Sequence, residues 1–104
     1  MNIAKMMKQA QKAQQRMQEV QVELLDKTVE SSVGGGKVTV MANGAGDVLH
    51  IKISPDVVDP GDVEMLEDLI LSGVRQAIDA GKKMAEEEMA KVTAGLGLPP
   101  GMGM

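Results

Sequence analysis

The 104-residue chain has no cysteine and no aromatic residue of any kind. Without cysteine there are no disulfides, no thiolate nucleophiles and no cysteine metal sites. Without Phe, Trp or Tyr, nucleic-acid bases cannot be stacked on aromatic platforms. No apolar run approaches the length of a membrane span, and no contact with a membrane is expected. Met1-Asn2-Ile3-Ala4-Lys5 leads into polar sequence rather than a hydrophobic leader, so a cytoplasmic protein is expected. Hydrophobic residues still make up 43% of the chain, and ten of them are methionine. That predicts an aliphatic, adaptable core. At 11.0 kDa there is room for one small domain, which buries a modest share of its surface and favours self-association.

The first third of the chain reads as a helix over residues 2–26. Ile3, Met6, Ala10, Ala13, Met17, Val20 and Leu24 recur at alternating spacings of three and four, forming a heptad seam. Gln, Lys, Ala and Met favour helix, and neither Gly nor Pro interrupts it. The seam is narrow and calls for a partner helix. Strands are expected at about 28–33, 37–43 and 47–54, with turns at Gly34-Gly35-Gly36 and Asn43-Gly44-Ala45-Gly46. Val38, Val40 and Ala42 share one strand face, as do Leu49, Ile51 and Ile53. The result is an antiparallel meander with one apolar face.

Asp59-Pro60-Gly61-Asp62 is expected to open a second helix, with Asp59 as its N-cap and Pro60 at the first helical position. That helix should run to about Thr93. Its first half has a broad apolar face (Val63, Leu66, Leu69, Ile70, Val74, Ala77, Ile78) that can cover the sheet. Its second half is thinner (Met84, Ala85, Met89, Val92) and should overhang the sheet. There it would pair antiparallel with helix one, the start of one helix beside the end of the other. Residues 1–94 would form one α+β domain, and 95–104 a flexible Gly/Pro/Met tail.

Lys5, Lys8, Lys12 and Arg16 fall on one helical stripe, and residues 1–18 contain no acid. Positive charge in the first turns opposes the helix macrodipole. Its presence there points to phosphate binding. The alternative is neutralisation by Glu86-Glu87-Glu88 on the overhang, and the sequence leaves both open. Residues 55–79 carry a local −6, read as a solvated, capping-rich face. His50, with Ser31, Ser32 and Ser54 nearby, has no motif that would make it catalytic. No cofactor and no enzymatic activity are expected. Gly73, Ala77, Gly81 and Ala85 form a row of small residues at spacing four, suited either to tight packing within the fold or to a dimer contact.

Several strings resemble the YbaB/EbfC family of nucleoid-associated proteins. They are Met6-Met7-Lys8-Gln9-Ala10-Gln11, Gly34-Gly35-Gly36-Lys37-Val38-Thr39-Val40, Ile51-Lys52-Ile53-Ser54-Pro55, the stretch from Asp62 to Ile70, and Gly97-Leu98-Pro99-Pro100. The resemblance implies helix–three strands–helix subunits joined as a tweezers-like homodimer with protruding helical hairpins. It also implies binding of double-stranded DNA, with a role in chromosome organisation or gene expression and a place in the nucleoid. The expected DNA-facing set is Lys5, Lys8, Lys12 and Arg16, with Lys82, Lys83 and Lys91 adding charge along the overhang. Two departures stand out: Gly73 and Gly81 where alanine is usual, and Lys82-Lys83 where acids are common. Each glycine is expected to cost roughly 1 kcal/mol of helix stability. With a net charge of −4, binding must come from a local patch and depend strongly on salt. The competing function is an adaptor that recruits replication or recombination proteins and binds little DNA itself.

Overall fold

The computed structural model describes residues 2–95. The elements are α1 (Ile3–Asp26), β1 (Thr28–Val33), β2 (Val38–Asn43), β3 (Val48–Ile53), a 3₁₀ turn over Pro55–Val57, and α2 (Val63–Gly95). The strands form one antiparallel sheet in the order β1-β2-β3, the expected meander. Gly95, expected to start the tail, is the last residue of α2; the rest of the expected tail, residues 96–104, lies outside the described residues. The molecule is elongated, with extents of 71 × 21 × 16 Å.

Local chemistry sets the boundaries. Asn2 caps α1 by accepting a hydrogen bond from the Lys5 amide (3.1 Å), and no acid sits in the first turn. Gly34, Gly35 and Gly36 all take positive φ in the β1–β2 turn, where a side chain would be strained. The start of α2 differs from the expectation. Asp59 does not cap it: its carboxylate instead accepts from the Gly61 amide (2.9 Å), and its carbonyl accepts from the Asp62 amide (2.9 Å). Asp59-Pro60-Gly61-Asp62 is therefore a self-bonded turn. The cap is Asp62, which accepts from the Met65 amide (3.2 Å). An Asp side chain bonding two residues ahead competes with capping three ahead, and here the turn wins.

Two apolar clusters hold the chain together. In the first, Val38, Val40, Ala42 and Ala77 are fully buried, with Val29, Val33, Ile53, Leu69 and Val74 packed around them. Here α2 lies across β1 and β2 and scarcely reaches β3. The row of small residues is the reason for the close approach. A Cβ on Gly73 would meet Val40 Cγ2 at 2.9 Å, and one on Gly81 would run into the carbonyl oxygen of Asn43. The row thus serves packing within the chain, and the helix propensity given up at the glycines is recovered as contact with the sheet.

The second cluster joins the helices: Val20, Leu24 and Val92 are buried, with Met17, Met84, Ala85 and Met89 against them. Asn43 is the corner between the clusters. It is 3% exposed. Its amide nitrogen donates to the Leu25 carbonyl (3.2 Å) and to Asp47 (3.3 Å). Its amide oxygen accepts from the Ala45 and Asp47 amides (3.0 and 2.9 Å). The Gly44 amide donates to the Leu24 carbonyl (2.9 Å). The last turn of α1 is thereby tied to the β2–β3 turn. An ionic clamp adds to the hairpin: Glu88, 21% exposed, lies 3.2 Å from both Lys27 and Lys91.

The hairpin is shorter than the heptad seam led one to expect. Ala13, Met17, Val20 and Leu24 are wholly or partly covered, but residues 2–12 are all exposed. The Lys27–Glu88 pair and the packing of Val20 and Leu24 around Val92 fix the register of the two antiparallel helices. In that register Gly95 lies opposite the stretch between Met17 and Val20. The part of α1 before Met17 therefore runs roughly 20 Å past the described end of α2.

Replacing Gly81 by alanine should lower stability despite the gain of up to about 1 kcal/mol in helix propensity, because overpacking costs about 1–3 kcal/mol and the obstacle is backbone. Urea unfolding would show a lower midpoint; an unchanged or higher midpoint would contradict the packing described. Hydrogen bonds from Lys91, then Lys27, hold the Glu88 carboxyl below its ordinary value of 4.5. The clamp's contribution is present in full above that value and is lost as pH falls through the depressed folded-state value. Between pH 5 and pH 3, Glu88→Gln should therefore lose less melting temperature than the parent; equal losses would remove the clamp from the account.

Candidate nucleic-acid interface

The exposed first half of α1 carries Lys5, Lys8 and Lys12, and these three border one shallow, solvent-open groove together with Gln9. Among the described residues none of the three lysines is in an ion pair. Neutralisation by the Glu86–Glu88 run is not what the structure shows. The acid of that run found in ion pairs is Glu88, and its partners are Lys27 and Lys91. The lysines lie too far out along α1 to share in the clamp.

The remaining members of the expected set are placed differently. Arg16 bonds Glu23 (3.1 Å) and Glu19 (3.2 Å). These contacts, Glu23 first, raise its pKa further and offset its charge. Lys83 lies 3.7 Å from Asp79, and Lys91 belongs to the Glu88 clamp. Lys82 is exposed without an ion pair among the described residues. Lys82 and Lys83 follow Gly81 at the corner with Asn43, roughly 30 Å along the hairpin from Lys5. The structure thus groups Lys5, Lys8 and Lys12 and separates them from Lys82, Lys83 and Lys91. The Arg16 pairing could have been read from its spacing to Glu19 and Glu23, three and seven residues on. The Glu88–Lys91 half of the clamp could be read in the same way, from its i,i+3 spacing; the Lys27–Glu88 half had no local signal, because those residues are distant in sequence.

The other polar features are unremarkable in chemistry. His50 is exposed and pairs in register with Met41 on the sheet face away from α2. Ser32 and Thr39 share a hydroxyl hydrogen bond (2.9 Å). Within 55–79, Asp56 pairs with Lys37, and Asp59 and Asp62 are taken up by the turn and cap. Among the described residues no group of His, Asp and Glu is arranged to hold a metal ion. No helix among them is long and apolar enough to cross a membrane.

Comparison with known proteins agrees with this geometry. Two curated relatives are nucleoid-associated proteins. The one from Acetivibrio thermocellus is 54% identical over 101 residues, covering 97% of this chain and 89% of that protein. The one from Clostridium novyi is 56% identical over 99 residues, covering 95% and 87%. Among solved structures, the crystal structure of the uncharacterized protein HP0035 from Helicobacter pylori superposes with a TM-score of 0.63 at 19% identity, covering 75% of this chain and 90% of that one; the likeness is one of fold. The YbaB/EbfC DNA-binding family model matches residues 1–96, almost the whole chain. The helix–sheet–helix chain described above belongs to the YbaB/EbfC DNA-binding family.

Proposed function

We propose that this is a nucleoid-associated protein that holds duplex DNA through phosphate contacts from the first half of α1. One observation carries the reading. In a chain of net charge −4, three lysines stand on an exposed helical projection without acidic partners among the described residues. An ammonium on a flexible stem suits a phosphate oxygen better than a base edge. Gln9 alone in the groove offers a side chain suited to bases. Binding is therefore broad in sequence, modest in strength and steeply dependent on salt. It serves chromosome organisation or gene regulation within the nucleoid.

The working unit in this reading is a homodimer. On β3, Ile51 pairs with Val40 and, after a bulge that leaves Leu49 without a partner in the register, Val48 pairs with Ala42; both are on the face that carries Val40, yet each is 38% exposed. They occupy the edge strand that α2 leaves uncovered. A second subunit would bury this edge and hold two projecting helices in one particle.

Neutralising Lys5, Lys8 and Lys12 to Gln keeps helix propensity nearly constant, so circular dichroism should be unchanged. The log–log salt slope of duplex binding should flatten by about 2.7 for each subunit engaged, with every duplex sequence affected alike. An unchanged slope in the folded variant would remove this surface from DNA binding and favour the adaptor function instead. Sedimentation should report twice the 11.0 kDa chain mass at micromolar concentration; a folded monomer would contradict the dimer.

A further inference from the structure

The seam that packs α1 against α2 does not stop where the described part of α2 ends. Ala13, Met17, Val20 and Leu24 are its covered part, and Ile3, Met6 and Ala10 continue it on the same side of the helix. Ile3 is 67% exposed and Met6 55%, with Met7 beside them at 59%. At 100° per residue, Lys5, Lys8 and Lys12 lie on the opposite side.

We infer that this uncovered seam is a contact for a second copy of the same segment, formed between molecules bound to DNA. The inference rests on the DNA-binding reading above. Continuity is the first argument: the same stripe packs a helix two turns further along the same chain, from Met17 onward. Self-complementarity is the second. Two copies laid antiparallel about a point between Met6 and Met7 place Ile3 of each against Ala10 of the other. A large side chain then meets a small one, and the backbones can approach closely.

Charge and area explain why the contact depends on DNA. Each segment carries three lysines and no acid, so two free copies repel. A handful of side chains also covers far less than the roughly 1,200 Å² of a stable interface. Phosphates offset the repulsion, and binding along DNA raises the effective concentration. In the antiparallel pair the two lysine stripes face outward in opposite directions, each toward its own duplex. The contact therefore bridges two DNA segments.

The test uses the full chain and two labelled duplexes, one immobilised. The parent should capture the free duplex. The double variant Ile3→Gln, Met6→Gln should bind a single duplex with the parent's salt slope but capture the second at least tenfold less. Because the chain lacks cysteine, Met6→Cys also reports the contact directly. It should form an oxidised cross-link between copies when duplex is added, and Gln15→Cys, on the lysine side of α1, should not. The inference is overturned by undiminished capture in the double variant, by single-duplex binding of the parent without capture, or by no cross-link at position 6. The last result is the one expected if residues 96–104 of the same chain occupy the seam. A parent that binds no duplex at all overturns the DNA-binding reading as well, which separates the two failures.

Discussion

The approach of the Gly81 backbone to the Asn43 carbonyl is the contact on which the remaining geometry depends. It seats α2 on the sheet at the point where β2 ends. The Asn43 side chain, satisfied on both its atoms, fastens the same point to the last turn of α1. Three elements meet at one residue, so the direction of the helical hairpin is set there. Removing the amide would leave buried donors and acceptors unpaired, at about 1–3 kcal/mol each. Everything beyond the corner, including the methionine-lined contact between the helices, inherits its orientation from it.

Charge is distributed along that hairpin in order. Near the corner most cations are paired, Lys83 with Asp79 and Lys27 and Lys91 with Glu88, and Lys82 stands alone without an ion pair among the described residues. Midway, Arg16 is held by two glutamates. Beyond it Lys5, Lys8 and Lys12 have no ion pair among the described residues. The acids stabilise the body and leave the projecting end positive. An overall negative protein can thus present a positive tip, and repulsion by the body orients the tip toward a polyanion. The macrodipole penalty at the start of α1 is moderated by the Asn2 cap, which satisfies a backbone donor without adding negative charge.

Much of this was legible in the sequence because it rests on local rules. The heptad stripe, the glycine turns and the alternation of Val38, Val40 and Ala42 specify the elements and their apolar faces. The basic stripe was visible as charge against the dipole. What could not be read there depends on distances between elements. The small-residue row suited two uses until Gly73 and Gly81 were seen against Val40 and Asn43. The seam of α1 looked fully partnered, because a period says which side is apolar but not how far the partner extends. The sequence puts the cap of α2 at Asp59 and the structure puts it at Asp62, because two aspartates three residues apart compete for capping and only the hydrogen bonds decide.

The central claim is that DNA is held by the projecting half of α1 and not by the lysines nearer the corner. Amide chemical-shift perturbation of the isotope-labelled protein, titrated with duplex at low salt, tests it residue by residue. The account predicts shifts concentrated between Ile3 and Ala13, with Lys82, Lys83 and Lys91 unmoved. Perturbations centred on α2 near Lys82 and Lys83, or on the open sheet face around His50 and Lys52, with α1 silent, would contradict it.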